Sequence, residues 1–539
     1  MEHLIAGLRH PALPRQAAAT PCDEAGAGRW VLLATILGSS MAFIDSTVVN
    51  VALPVMQRDL QASLAAAQWI VEAYGVALSA LILVGGSLGD RYGRRRMFTI
   101  GIVLFTLASL ACGASQNATE LVVCRGIQGV GAAMLMPESL AIISACFEGT
   151  ARGKAIGTWS AFTALTSAAG PVLGGAIVAA GSWRYVFFIN LPVALVVLAL
   201  LRFVPESKSG EAGDPDWLGA ALVTLGLGGL VFGLVTASNG GFGQVQVVVA
   251  LVAAVVLLGA FLTVEARTAA PMLPLRLFGS AGFSGANTLT LLLYAALSGA
   301  LFFLPFDLIQ VQGYPPQAAG AALLPFVLLI SVLSRWSGGL IGRYGARWPL
   351  TIGPVLVAIG FLLLARNGLG GGYWTTIFPA VVVLGLGMAM VVAPLTTTVM
   401  ASVDTRHSGL ASGVNNAVAR LAGVLAIAVL SIFVVMAFDN SLNRRLAGIN
   451  VSAQVKQGIE AQRDRLAAIQ LPEGLDAGAR SAVQQAVDLA FVDGFRLAMT
   501  IAAGLCLASA ACTLLTIERK PRRDAPRPRT LDRSRPDSG

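Results

Sequence analysis

The sequence predicts an all-α integral membrane protein. Hydrophobic residues make up 56% of the chain and charged residues only 12%. The apolar residues run in blocks long enough to cross a bilayer, which takes about 20 residues as a helix. The basic residues collect in every second gap between the blocks, the pattern that sets membrane topology. A water-soluble chain of 539 residues would divide into domains that need charge to cover them, and a mean hydropathy of +0.75 leaves too little. In hydrocarbon every backbone N–H and C=O must be satisfied internally, so the blocks are read as helices.

Taken in order, the candidate spans are 30–53, 68–88, 97–115, 120–145, 156–179, 186–203, 217–237, 246–265, 282–305, 318–341, 349–366, 374–400, 408–436 and 492–516, fourteen in all. One set of gaps carries Arg91, Arg94, Arg95, Arg96, Arg152, Lys154, Lys208, Arg267, Arg276, Arg343, Arg347 and Arg406. The alternate set holds little beyond Arg58 and Arg184. The first set is therefore expected on the cytoplasmic side. The Pro-rich tail from Arg519 to Arg535 is expected there too, which puts both termini inside and agrees with an even number of spans. Residues 1–29 lack the charged-then-apolar leader of a cleaved signal peptide and are read as a cytoplasmic arm. Residues 437–491 form the one long polar loop, expected outside as a small helical cap. Val455, Ile459 and Leu466 could share one face there, as could Val483, Val487 and Ala490, with a turn at Pro472-Glu473-Gly474.

The net charge of +9 does not point to nucleic acid, since the basic residues sit in short gaps and the tail rather than on a soluble face. The six cysteines show no C-x-x-C spacing, and His3, His10 and His407 do not cluster. Neither a metal site nor a disulfide framework is expected. No Walker A motif, zinc motif or catalytic triad can be assembled. An enzyme is therefore not expected, nor a cofactor.

An internal repeat divides the chain. Gly86-Ser-Leu-Gly-Asp-Arg-Tyr-Gly-Arg-Arg-Arg96 follows the second span, and Gly338-Gly-Leu-Ile-Gly-Arg-Tyr-Gly-Ala-Arg-Trp348 follows the tenth. Both fit G-x-L-x-x-R-Y-G-x-R. Duplicated halves are typical of transporters that rock two bundles about a midplane site. The expected organisation is an arm at 1–29, a six-helix bundle at 30–203, a linker with two extra spans at 204–281, a second six-helix bundle at 282–516 and a basic tail at 517–539.

The 86–96 segment resembles the signature of the major facilitator superfamily. Ile44-Asp-Ser-Thr-Val-Val-Asn-Val-Ala-Leu-Pro54 resembles the first-helix motif of its fourteen-helix drug:proton antiporter branch (EmrB/QacA type). Arg125-Gly-Ile-Gln-Gly-Val-Gly131 resembles the fourth-helix motif with its embedded Arg. Gly170-Pro-Val-Leu-Gly-Gly175 resembles the fifth-helix antiporter motif, and Trp183-Arg-Tyr-Val-Phe-Phe-Ile-Asn-Leu-Pro192 the stretch entering the sixth helix. Thr166 stands where the antiporter motif often has Gly, and Gly342 replaces the acid in the second signature copy. The resemblance implies the major facilitator fold, two six-helix bundles plus two extra central helices. It also implies multidrug efflux: antiport of protons against amphipathic or cationic small molecules, conferring antibiotic resistance from a bacterial plasma membrane.

A charge near the bilayer centre costs about 2.5–3.5 kcal/mol on insertion scales, so each one is a candidate for function. Asp45, Glu72 and Arg125 all fall in the outer half of the first bundle. Asp45 is expected to carry the proton, with Arg125 as its charge partner and Glu72 as a second carboxylate. A carboxylate beside Arg125 is stabilised as the anion and takes a proton more readily once that contact is lost. Glu138 follows Pro137 and faces either the solute cavity, where it would attract cations, or the cytoplasmic vestibule. Trp69 and Tyr74 are either interfacial aromatics or a surface on which the substrate stacks. Asp307 is placed at the outer interface. Arg420 either binds an anionic group, pairs with an acid elsewhere, or is a packed structural charge. Gly89, Asp90, Arg91, Gly93 and Arg94 permit a tight helix–helix turn, while Gly170, Pro171, Gly174 and Gly175 give a smooth, bent helix face. Both groups are expected to act in conformational switching. The rival readings are a dedicated exporter of one endogenous metabolite or antibiotic and a membrane sensor that binds solute without moving it. The sequence names no accessory export subunit.

Overall fold

The computed structural model describes residues 27–517 except residue 148 and the segments 209–215, 269–270, 272, 274, 404–407, 450–451 and 472–475. The arm before residue 27, the tail after 517, His407 and the Pro472-Glu473-Gly474 turn lie outside the described residues.

The first part of the chain forms α1 (Ala27–Asp59), α2 (Leu64–Tyr92), α3 (Arg94–Ala114), α4 (Ala118–Cys146), α5 (Gly149–Ala179), the short α6 (Tyr185–Phe188) and α7 (Asn190–Leu200). The hairpin α8 (Trp217–Gly240) and α9 (Val245–Arg267) follows. Then come α10 (Ala281–Phe306), α11 (Pro316–Ala321), α12 (Leu324–Tyr344), α13 (Arg347–Leu364), α14 (Tyr373–Ala401), α15 (Ser408–Ala447), α16 (Ala453–Glu460) and α17 (Ala477–Thr516). Each predicted span falls on one of these rods, with α6–α7 and α11–α12 each serving as one. Thirteen segments among the described residues are long and apolar enough to cross a membrane. The fifth predicted span lies on the 31-residue α5. The fold is all-α and multi-pass, as expected.

Polar residues start these helices by accepting from orphan backbone N–H groups: Ser63 from Ala66 before α2, Asn117 from Glu120 before α4, and Asp216 from Gly219 before α8. The repeat is visible in the backbone. Gly93 (φ 113°) joins α2 to α3, and Gly345 (φ 76°) joins α12 to α13. Both take a positive φ that a side chain resists, and both occupy the same place in the G-x-L-x-x-R-Y-G-x-R pattern. They mark one end of the molecule, the turn end. Alternation of the rods brings Ala27 and Thr516 to that same end.

The polar loop is shorter than the sequence suggested. Residues 437–447 continue α15 and residues 477–491 belong to α17, because Val483, Val487 and Ala490 bury one helical face completely. The cap between them is small. Ile459 and Leu466 are buried in it, and its chain lies over α1, where Gln57 Nε2 donates to Arg465 O at 3.4 Å and Arg465 Nη1 to Gln61 Oε1 at 3.0 Å. Cys112, Cys124, Cys506 and Cys512 are free thiols.

Within the first part α4 packs on α2 and α3, and α5 packs on α1; later, α14 packs on α12 and α13, and α10 on α15 and α17. The hairpin is held on one side only: α8 contacts both α2 and α15, while α9 exposes Val245, Val249, Val252, Val255 and Val256, a surface suited to lipid. At the end opposite the turns the two parts meet closely. Gln310 Nε2 donates to Pro54 O at 3.3 Å and to Gln57 Oε1 at 3.0 Å, and α5 packs on α11.

Candidate functional site

The buried charges gather where α1, α2 and α4 cross. Gly129 on α4 allows this approach, since a Cβ there would stand 2.6 Å from Tyr74 O of α2. One turn earlier on α4, Arg125 comes beside the α2 backbone and donates from Nε to Ile70 O at 2.9 Å. Its guanidinium covers the Tyr74 ring at 4.3 Å, a cation–π contact. Its Nη1 donates to Asp45 Oδ2 of α1 at 2.5 Å and to Gln128 Oε1 at 2.8 Å. Gln128 Nε2 closes the ring by donating to Asp45 Oδ1 at 2.8 Å. Both carboxylate oxygens of Asp45 are thus engaged. Side-chain exposure is 1% for Arg125 and 0% for Asp45; every other ion pair among the described residues leaves both partners at least one-fifth exposed.

Isolated, either charge would be prohibitively costly to bury; paired and fully hydrogen-bonded, the two can remain. The arrangement can hold an ion pair in hydrocarbon. Gln128, the bridging amide, was not singled out from the sequence. Its spacing of three residues from Arg125 puts both on one face of α4, which was the available signal.

Glu72 is not brought to this pair. It lies two residues from both Ile70 and Tyr74, about 160° around α2 from each. Its face is shared with Trp69 and Val76, which pack in a cluster with Leu227 and Val231 of α8 and Val424 and Ala428 of α15. Glu72 is fully buried there and neither carboxylate oxygen has a hydrogen-bond partner. Trp69 tilts against Phe232 of α8, with ring centroids 6.5 Å apart. Tyr74 is placed under Arg125 and donates to Ala42 O at 3.4 Å; it is 4% exposed.

Glu138 is likewise fully buried with both oxygens unpartnered. Its carboxylate occupies the space that a Cβ at Gly89 would fill, so it lies against α2 near the turn. Beside it Arg94 donates from Nη2 to Asp90 Oδ1 at 2.7 Å and from Nη1 to Ala141 O at 3.4 Å. Arg91 is exposed and lies over the Tyr92 ring. The start of α3 is held by Glu206, whose carboxylate accepts from Arg95 N at 3.0 Å and Arg96 N at 3.1 Å, the position where a helix favours an anion. No local pattern around Glu206 announces this role, because its partner is 110 residues away in the chain.

On α5, Gly170 and Gly174 lie against Thr47 and Val48 of α1, and Gly175 against Pro316 and Gln317 of α11. In return, Gly320 of α11 lies against the Pro171 carbonyl. The glycine face predicted for α5 therefore has two sides, one tying α1 and one closing on the other half. Asp307 lies 1% exposed in a π-helical turn, Asp307–Val311, at the end of α10. No group of three or more metal-ligating side chains occurs among the described residues.

Residues 35–427 match the model of the Major Facilitator Superfamily. The chain is 32% identical over 523 residues to the tetracenomycin C resistance and export protein of Streptomyces glaucescens, covering 95% of this chain and 96% of that protein. It is 36% identical over 406 residues to the multidrug resistance protein Stp of Mycobacterium tuberculosis (strain CDC 1551 / Oshkosh), covering 74% of each. It is 36% identical over 427 residues to the puromycin resistance protein pur8 of Streptomyces alboniger, covering 78% and 84% respectively. Among solved structures, a bacterial homolog of the human lysosomal transporter Spinster superposes with a TM-score of 0.63 at 17% identity, covering 91% of this chain and 98% of that one.

Proposed function

The chain belongs to the major facilitator superfamily, and from that premise we propose that it is a proton-coupled antiporter exporting amphipathic small molecules across a bacterial plasma membrane. The observation that carries the reading is the Asp45–Arg125 pair, sealed at 1% and 0% exposure. Three of the relatives are named for drug resistance or export, which supports the outward direction. The turn end, with Arg91, Arg94, Arg95 and Arg96, is assigned to the cytoplasm, so both termini lie inside.

The bundles at 30–203 and 282–516 rock about the space between them, and the α8–α9 hairpin rides on both. In the described conformation Asp45 is the anion held by Arg125 and Gln128. When the far end opens and α5 leaves α11, a proton from outside takes the place of the guanidinium on Asp45. Arg125 keeps Ile70 O, the Gln128 amide oxygen and the Tyr74 ring, so it is not stranded. The neutral acid crosses to the inward-open state, where it releases the proton and solute binding follows. Each charge moved down the membrane potential contributes roughly 2.3 kcal/mol per 100 mV. Glu72, with no partner of its own, is assigned as a second, separate protonatable group. The Asp90–Arg94 pair and the Gly93 turn are assigned to the inner switch, with the α5 glycines and Pro171 at the outer one. An attraction for cations at Glu138 finds no support in this conformation, because that carboxylate is shut against Gly89.

Efflux from energised cells expressing the chain, preloaded with rhodamine 123, ethidium or fluorescein, tests the reading. Accumulation of at least one dye is expected to fall, and a protonophore is expected to restore it. Efflux that persists with the protonophore removes proton coupling; no efflux of any probe removes the broad exporter. Transport of one compound class alone selects the dedicated exporter, the reading favoured by a relative named for tetracenomycin C.

A further inference from the structure

We propose that Arg420 is an anion anchor in the space between the two halves, so that solutes with an acidic group, a carboxylate or phenolate, are among those transported. The inference adds a substrate class to the export reading and rests on that reading only for its transport arm. Arg420 sits on α15, in the second half, but reaches across to the first: its Nη2 donates to the Met136 thioether of α4 at 3.3 Å. A thioether is a weak acceptor, whereas a guanidinium carries five donors in a planar fork matched to carboxylates. Arg420 is half-buried, and among the described residues Met136 is its one side-chain partner and no acid pairs with it.

The nearby acids are committed elsewhere. Asp45 is held by Arg125 and Gln128. Glu138 lies against Gly89, close to Asp90 and Arg94. Glu72 points into the seam with α8, with no charged group beside it. The fixed charge left facing between the halves is therefore positive. Met136, which Arg420 touches, lies on α4, the helix that also carries Arg125 and Gln128.

Fluorescein and rhodamine 123 share a xanthene ring system and differ in charge, which makes them suitable probes. Binding of each to the detergent-purified full chain is read by fluorescence anisotropy, for the parent, Arg420→Gln and Arg420→Lys. The parent is expected to bind fluorescein. Loss of a charge-assisted contact should weaken it on the order of 10- to 100-fold in Arg420→Gln, with partial recovery in Arg420→Lys and rhodamine 123 binding not weakened. Gel filtration and thermal unfolding identify any variant that fails to fold; if Arg420→Gln does, Arg420→Lys is read alone, with a loss of several-fold expected because lysine lacks the planar fork. Failure of the parent to bind fluorescein, or equal binding by the parent and the folded variants, overturns the proposal. Intact Arg420-dependent binding without gradient-driven transport in vesicles would instead sink the export reading and leave the anion anchor standing.

Discussion

Asp45→Asn is expected to abolish gradient-driven efflux, to the level of cells lacking the protein, while solute exchange across the membrane at equal pH continues. Asparagine keeps the size of aspartate and one acceptor oxygen. It can still accept from Arg125 Nη1, which reaches Asp45 at 2.5 Å, and still lies beside Gln128, which reaches it at 2.8 Å. It cannot take up or release a proton. The two halves can therefore rock with solute aboard, but no proton gradient is converted into solute gradient. The split is measured in proteoliposomes, comparing uptake driven by an imposed pH gradient with counterflow of labelled solute in its absence. Loss of both activities together would mean that Asp45 is needed for the fold or for rocking itself. Retention of both would exclude it as the proton carrier.

Arg125→Met should have the largest effect on stability. Methionine fills much of the same volume but leaves the Asp45 carboxylate with Gln128 as its one remaining donor, and the Ile70 carbonyl without the Nε hydrogen bond at 2.9 Å. Removing one member of a buried pair typically costs about 3–5 kcal/mol because the other charge is left uncompensated. The double variant Asp45→Asn with Arg125→Met leaves no charge alone and should recover a large part of that loss, although it will not transport against a gradient. Thermal unfolding of the purified proteins in detergent reads the difference. A single variant as stable as the parent would show that the pair stands in a wet, well-solvated place, contrary to its exposure.

The rods were legible because a membrane span has a simple sequence requirement, an apolar stretch of set length. The repeat was legible because a positive-φ turn between two helices needs glycine, at Gly93 and again at Gly345. Asp45 and Arg125 could be read as candidates from the cost of burying charge, and the structure places them in contact. What the sequence could not give is helix rotation and partner identity. Glu72 belongs to the same stretch of α2 as Tyr74, yet the helix turns it towards α8 and away from Arg125. No hydropathy pattern distinguishes these faces, because both are buried. Glu138 was left between cavity and vestibule; only the close approach of Gly89 shows where its carboxylate lies. Glu206 is long-range by nature, an acid in a connecting stretch that finds the backbone of α3 from 110 residues away. Residues 437–447 and 477–491 read as loop because Arg444 and Arg445 at the end of α15, and Arg480, Gln484 and Asp488 at the start of α17, look polar, although Arg445 pairs with Asp493 at 2.9 Å and Gln484 donates to Asp488 at 2.8 Å.

The central claim is that Asp45 exchanges its hold on Arg125 for a proton. The direct measurement is the proton released when a transported dye is added to the purified chain in weakly buffered detergent solution, followed with a pH indicator. The parent is expected to release protons as the dye binds, saturating with dye occupancy, and Asp45→Asn to bind the dye with that release reduced by the share Asp45 carries. Undiminished release from Asp45→Asn, or binding by the parent with no release at any pH, would contradict the account.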